Sequence, residues 1–171
     1  MKVFHSIAEA RELAGSEACL GNFDGVHVGH QALFAEARRH APGRVVAVTF
    51  EPHPGKILQP ELAPKLITLL PRKLELLEEC GLFAVVVQPF TLEYAKTAPE
   101  GFEAQLFDGL SAKHVVVGAD FTYGKARMGT VETLRQAAAA RGARVHVVPP
   151  DRKSTRLNSS HIQKSRMPSS A

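Results

Sequence analysis

Short runs of apolar, mostly β-branched residues recur along the chain, and longer stretches with helical spacing separate them. Arg44–Phe50, Phe83–Val87, His114–Gly118 and Arg144–Val148 are runs of this kind, and Ala18–Leu20 is a shorter one. Their apolar residues are largely continuous rather than alternating. Both faces of each strand must then be covered, which predicts central strands of a mostly parallel sheet. Lys2–Phe4 reads as a short edge strand. Between the runs, Gly29–His40 carries Leu33, Phe34 and Ala37 on one helical face, and Pro71–Gly81 carries Leu74 and Leu77. Pro99–Leu110 is predicted as one amphipathic helix with Phe102, Leu106 and Phe107 inward, and Thr130–Arg141 as an alanine-rich helix capped by Thr130. Ser6, with Glu9 three residues on, predicts a capping box and a short helix to about Ala14. Glu51 to Leu70, Gln88 to Ala98 and Ala119 to Gly129 read as loops. Strands that alternate with helices predict an α/β fold, with right-handed crossovers and helices on both faces of the sheet. Ligands in such sheets bind at the carboxyl ends of the strands.

Gly21–His30, Glu51–Gly55, Gln88–Pro89 and Ala119–Gly129 fall at those ends, and three segments there carry candidate chemistry. The first runs from Cys19 through Gly21, Asn22, Phe23, Asp24 and Gly25 to His27, Gly29 and His30. It leaves a strand, turns through glycines and enters a helix whose unpaired N–H groups and partial positive charge suit phosphate. Two imidazoles there add hydrogen bonds, and positive charge when protonated, where a phosphate gains charge during reaction. The second segment, Glu51-Pro52-His53-Pro54, stiffens the exit of a strand and aims His53 at the same crevice. The third runs from Gly118 to Gly129 and holds Asp120, Phe121, Thr122, Tyr123, Gly124, Lys125 and Arg127. Its glycines allow close backbone approach, its aromatics can pack on an aromatic ligand, and Lys125 and Arg127 can pair with phosphate.

Charge changes one part of this picture. The formal net charge of +4 on 171 residues arises entirely after Pro150. Sixteen Lys and Arg balance sixteen Asp and Glu up to that point, and five basic residues face one Asp beyond it. A neutral body argues against a broad nucleic-acid footprint. No apolar run approaches the ~20 residues of a membrane span, and the first residues lack the apolar core of a signal peptide, so a cytoplasmic location is expected. The two cysteines, Cys19 and Cys80, lack CxxC spacing and predict buried small residues rather than a disulfide framework or a zinc site. Residues 1–150 are expected to form one domain. The Ser-rich, basic stretch 151–171 is expected to be a disordered tail, and it resembles translated sequencing-adapter read-through.

Together, the three segments resemble the adenylyltransferase module of bacterial FAD synthetases, the bifunctional riboflavin kinase/FMN adenylyltransferases. The likeness runs from about Lys2 to Pro150, and the His-x-Gly-His element alone is shared with the wider nucleotidylyltransferase superfamily. The resemblance implies a Rossmann-like parallel sheet. It implies transfer of AMP from ATP to FMN, giving FAD and pyrophosphate, with Mg²⁺ accompanying ATP and no metal site of the protein's own. It implies His27 and His30 as catalytic residues, and Gly21, Asn22, Phe23, Asp24, Gly25 and Gly29 as nucleotide-binding. The flavin side would take His53, Pro54, Asp120, Phe121, Thr122, Tyr123, Gly124 and Arg127. The family continues after the last strand with an Ile-Ser-Ser-Thr-x-Ile-Arg element that binds the triphosphate, then a riboflavin kinase module. Here the composition changes at Asp151 instead, so the chain is expected to fold as most of that module but to be catalytically weak or dead. A nucleotidylyltransferase with another phosphate acceptor, or a non-catalytic flavin- or nucleotide-binding module, are the alternative readings.

Overall fold

The computed structural model describes residues 1–63 and 65–150; the stretch expected to be a tail lies outside them. Strands β1 (Lys2–Phe4), β2 (Glu17–Leu20), β3 (Val45–Glu51), β4 (Ala84–Pro89) and β5 (His114–Gly118) match the apolar runs. A two-stranded hairpin of β6 (Thr122–Tyr123) and β7 (Gly129–Thr130) follows, and then β8 (Arg144–Val148). The main sheet has six strands in the order β1-β4-β3-β2-β5-β8, and every pair in it is parallel.

Period-two alternation divides each strand between two cores. Ala18, Leu20, Val46, Val48, Val86, Val115 and Val117 face one side, and Cys19, Val45, Ala47, Val85, Val87 and Val116 face the other. The second side is covered by α1 (Val28–His40) through Leu33, Phe34 and Ala37, and by α3 (Leu70–Glu79) through Leu77. The first side is covered by Phe102 of α5 (Pro99–Glu103), by Leu106 and Leu110 after it, and by Leu134 of α6 (Val131–Ala139). This two-sided cover is why the strand runs are continuously apolar.

Five stretches differ from the sequence expectation, the first being Ala119–Gly129, read as a loop but holding β6 and the start of β7. Ser6 does cap, its hydroxyl accepting the Glu9 amide at 3.2 Å, but two 3₁₀ turns replace the predicted helix to Ala14. Ile7, Ala10 and Leu13 are buried at a spacing of three. That spacing eclipses on a 3₁₀ turn, whereas on an α-helix it drifts by about 60° at each step. Glu51 to Leu70 is not a plain loop; it holds α2 (Pro54–Leu58) and a 3₁₀ turn over Pro60–Leu62. Gln88 to Ala98 holds α4 (Leu92–Ala95), capped by Thr91. The predicted helix over 99–110 widens after Glu103 into a π-helical turn over Ala104–Gly109, which keeps Leu106, Phe107 and Leu110 all buried.

The strand order fixes where a ligand can sit. From β2 the chain steps outward through β3 to β4, and β5 then returns to the opposite side of β2. The crevice outside the carboxyl ends of β2 and β5 is the switch point at which open α/β sheets bind ligands. Both cysteines are unpaired; Cys19 is fully buried, and burial pushes its thiol up. Among the described residues no helix is long and apolar enough to cross a membrane.

Candidate active site

The turn leaving β2 is built from beneath by its middle residues. Phe23 is fully buried against Phe34, with its ring edge-on to His30 at 5.2 Å. It adopts a left-handed φ of 52°. The Asp24 carboxylate accepts the amides of Ile67 and Thr68, both at 2.8 Å, and the Thr68 hydroxyl at 3.1 Å. Partial burial pushes this carboxyl up, but those hydrogen bonds and the charge of Lys73 more than offset it and hold it below the usual range. Gly25 has φ 81°, donates its amide to Thr68 Oγ1 at 3.1 Å, and would bring a Cβ within 3.2 Å of Ile67. Phe23, Asp24 and Gly25 therefore shape the turn and line neither of the cavities above it.

The two histidines cap the helix they introduce. Nδ1 of His27 accepts the Gly29 amide at 3.1 Å, and Nδ1 of His30 accepts the His27 amide at 3.2 Å. Their rings stack at 3.7 Å between centroids. With each Nδ1 occupied as an acceptor, a neutral ring carries its hydrogen on Nε2. The His27 ring holds its present direction only beside glycine, because a Cβ at Gly29 would stand 2.9 Å from its Cε1. Burial pulls His27 below the usual histidine range, against Asp24. Burial, then the His27 ring, pulls His30 down to about 3, with Lys73 assisting and Asp24 opposing. At neutral pH the ligand-free pair thus offers two uncharged N–H donors rather than imidazolium charge. The amide of Val28 at the same helix start has no partner among the described residues.

Positive charge comes instead from a residue the sequence reading passed over. Lys73, on the inner face of α3, is buried; its ammonium donates to the Asn22 carbonyl at 2.9 Å and to Thr49 Oγ1 at 3.2 Å. Thr49 donates to the same carbonyl at 3.1 Å. Among the described residues Lys73 makes no ion pair. Burial lowers its pKa, opposed by Glu51 and Asp24. A signal was present: Lys73 shares the helical face of Leu70, Leu74 and Leu77, where a cation breaks the apolar stripe.

Two cavities open on this turn. The switch-point cavity, about 570 Å³, is walled by Gly21, His27, Gly29 and His30 on one side and by Gly118 to Phe121 on the other, with Val148 to Pro150 at its end. The larger cavity, about 690 Å³, has aromatic walls from Phe50, Phe90, Tyr94, Phe102, Phe121 and Tyr123. Asn22, His53, Pro54, Asp120, Thr122, Gly124 and Arg127 also line it. Gly21, Asp120 and Phe121 belong to both cavities, so the two meet there. His53 repeats the device of the pair: it caps α2, Nδ1 accepting the Gly55 amide at 2.9 Å, and burial lowers it. Tyr123 faces the cavity with its ring only; its hydroxyl is bonded to Glu103 at 2.5 Å and Thr133 at 2.9 Å, and burial pushes it up. Gly124 has φ 79° and a Cβ there would meet the Pro99 backbone at 2.9 Å, so packing as well as turn geometry demands glycine. Arg127 is steered by Nε, which donates to Thr122 Oγ1 at 3.0 Å. Phe50 was missed in the sequence because it reads as the end of a covered strand, Phe90 and Tyr94 because they read as part of a plain loop, and Pro149–Pro150 because they read as a chain break.

The site can grip a phosphate chain at a helix start and pack a flat aromatic system beside it. A family model described as FAD synthetase matches residues 9–162. The Bacillus subtilis bifunctional riboflavin kinase/FMN adenylyltransferase is 42% identical over 76% of this chain and 42% of its own length. A Listeria monocytogenes FAD synthetase is 30% identical over 95% of this chain and 68% of its own. The chain thus spans less than half the length of the first relative and about two thirds of the second. Among solved structures, one described as a macrolide-efflux protein from Streptococcus pneumoniae superposes with a TM-score of 0.73 at 26% identity, covering 92% of this chain and 54% of that one. A Francisella tularensis pantoate-beta-alanine ligase superposes with a TM-score of 0.60 at 13% identity, over 89% of this chain and 68% of that one; at that identity it shows a shared fold alone.

Proposed function

We propose, because this chain belongs to the FAD synthetase family, that it transfers AMP from ATP to FMN, giving FAD and pyrophosphate. One observation carries the reading: an aromatic cavity and a helix-start cavity meet at Gly21, Asp120 and Phe121, as a flavin phosphate and a triphosphate must meet to react. FMN would lie with its ring system among Phe50, Phe90, Tyr94 and Phe121, and its 5′-phosphate at the junction, beside Asp120 and Arg127. ATP would lie across the switch point with its phosphates on His27, His30 and the free amide of Val28.

In the reaction, an oxygen of the FMN phosphate forms the new bond to the α-phosphorus as the bond to the pyrophosphate oxygen breaks. The nucleophile is already an anion, so no general base is required, and the work is positioning and charge stabilisation. The Nε2–H groups of His27 and His30 are preorganised donors for the charge that grows on departing pyrophosphate. Lys73, through the Asn22 carbonyl, holds the turn that aims them. Mg²⁺ would enter with ATP, and Asp120 is the carboxylate lining both cavities that could reach such a complex. Small-molecule substrates fit the neutral body of the chain, and the use of ATP and FMN points to the cytoplasm.

The full chain, mixed with FMN, ATP and Mg²⁺, tests this. The expected result is quenching of FMN fluorescence on binding and equal amounts of FAD and pyrophosphate, formed slowly. Faster adenylation or cytidylation of nicotinamide mononucleotide, phosphopantetheine or glycerol phosphate overturns the choice of acceptor. Quenching with no product at any enzyme concentration leaves a flavin-binding module in its place.

A further inference from the structure

At the opposite end of the strands from the crevice, three further histidines converge. His40 ends α1, His114 opens β5 and His146 lies in β8. Each offers one ring nitrogen, and the three nitrogens lie within 4.8 Å of one another. The register explains the meeting: His146 pairs with Val116, so it projects from the same sheet face as His114, the face that α1 covers. Nδ1 of His114 and Nε2 of His146 are 3.0 Å apart, and the His40 ring stacks on His146 at 3.8 Å.

Beside them sits a side chain with nothing to bond. Glu17 opens β2 directly opposite His114 in the sheet and is 0% exposed. Neither of its carboxylate oxygens has a hydrogen-bond partner among the described residues, and Oε1 stands 3.9 Å from His114 Nδ1. A buried carboxylate without a donor is destabilising unless a cation or hydrogen-bond partner meets it.

We propose that His40, His114, His146 and Glu17 form a site for a divalent transition-metal ion of the zinc type, independent of the crevice. Three imidazoles and one carboxylate are a nitrogen-rich set that suits Zn²⁺, Co²⁺ or Ni²⁺ and not Mg²⁺. Metal–nitrogen bonds of ~2.0–2.1 Å in a tetrahedron place ligand atoms about 3.3 Å apart. The present 3.0 Å between His114 and His146 is close to that edge. Binding exchanges their mutual hydrogen bond for two metal bonds and fans the stacked rings apart, with His40 swinging inward from the surface. Glu36, 3.2 Å from His40 Nε2, is placed to orient that ring from outside the ligand shell. The ion would tie the end of α1 to β2, β5 and β8.

The test uses the full chain stripped with a chelator, titrated with Co²⁺ and then Zn²⁺. The variant H27Q/H30Q serves as background, so that crevice histidines are not counted. One Co²⁺ per chain with the visible absorption of a tetrahedral site is expected, displaced by Zn²⁺. H114Q/H146Q should lose that absorption and bind Zn²⁺ at least 100-fold more weakly, and E17Q should lose roughly tenfold or more. Circular dichroism checks that each variant folds; should H114Q/H146Q fail to, H40Q, at the surface, must give the same loss. Absence of saturable binding in the H27Q/H30Q background, or binding that survives in H114Q/H146Q, overturns the proposal.

Discussion

At the carboxyl edge of the sheet, His27, His30 and His53 each have Nδ1 occupied by a main-chain amide. At the amino edge, His40, His114 and His146 stack on one another, and their partners are side chains. The first arrangement makes the tautomer and the direction of Nε2–H consequences of the backbone, settled before any ligand arrives. That is what preorganised stabilisation of developing charge requires. The second arrangement leaves ring orientation to side-chain torsions that a ligand can reset. The same residue type thus becomes a fixed donor or an adaptable ligand according to what holds its other nitrogen.

The strongest way to break this contrast is to remove the fixed donors. His27→Ala and His30→Ala should each lower kcat/KM for FAD formation by roughly 10²–10³-fold, the usual loss for one preorganised donor. The double variant should lose less than the product, because each ring also caps the other's turn. Each lost cap should lower stability by about 1 kcal/mol, so thermal melts separate the two effects. Turnover unchanged in the double variant would reduce the pair to caps.

Gly29→Ala asks a narrower question. The added Cβ would lie 2.9 Å from Cε1 of His27, the far end of a side chain that can swing away. Alanine also favours helix over glycine by up to about 1 kcal/mol. A ring that swings away gives up its bond from the residue-29 amide, so the lost cap offsets the helix gain, and the expected outcome is a chain about as stable as the parent with kcat/KM lower by roughly 10²-fold, one donor's worth. Steady-state kinetics and a melting curve on the same sample check it. Activity retained at full level would show that His27 does not need its present direction.

What the sequence made legible follows from the length of each signal. Continuous β-branched runs at Arg44–Phe50 and His114–Gly118 fix strands because covered strands leave no other reading of them. The five-residue α2 and four-residue α4 are too short for helical periodicity to register, and they were read as loop. The glycine turn and its two histidines were legible as one segment. Which of its side chains faced the ligand was not, because Phe23 and Val26 take positive φ of 52° and 45° that no composition rule assigns to bulky residues. Lys73 left a trace in the apolar stripe of α3. The amino-edge cluster left none, since positions 40, 114 and 146 meet only through strand register.

Acidity sharpens the contrast on a smaller scale. Burial holds His30 at about 3 in the folded chain, against 6.5 for a free imidazole. The unfolded chain therefore binds the extra proton first as pH falls, and stability must drop. The contribution is fully present above pH 6.5 and is lost progressively toward pH 3. By pH 5 the loss reaches at most about 2 kcal/mol. Denaturant unfolding of the parent and His30→Gln should run parallel above neutrality, with the parent losing more between pH 6.5 and 5. Parallel curves down to pH 5 would mean that His30 takes up its proton without cost.

The smallest effect tests whether charge beneath the turn contributes to keeping these rings neutral. Lys73→Met preserves the length of the side chain and its contacts with the buried face of α3 while deleting the ammonium. The Asn22 carbonyl keeps its bond from the Thr49 hydroxyl, so no buried acceptor is orphaned. The stability change should stay near 1 kcal/mol, because two lost hydrogen bonds are offset by a cation no longer taken out of water. Burial is the main cause of the lowered pKa of His30 and His53, and Lys73 adds to it in both. Both rings should therefore titrate higher in the variant, as imidazole NMR signals can report, while the more distant His114 and His146 should not move. If His30 and His53 also stay where they were, the buried charge is screened from the carboxyl edge. Desolvation and the neighbouring ring would then keep His30 uncharged without help from below.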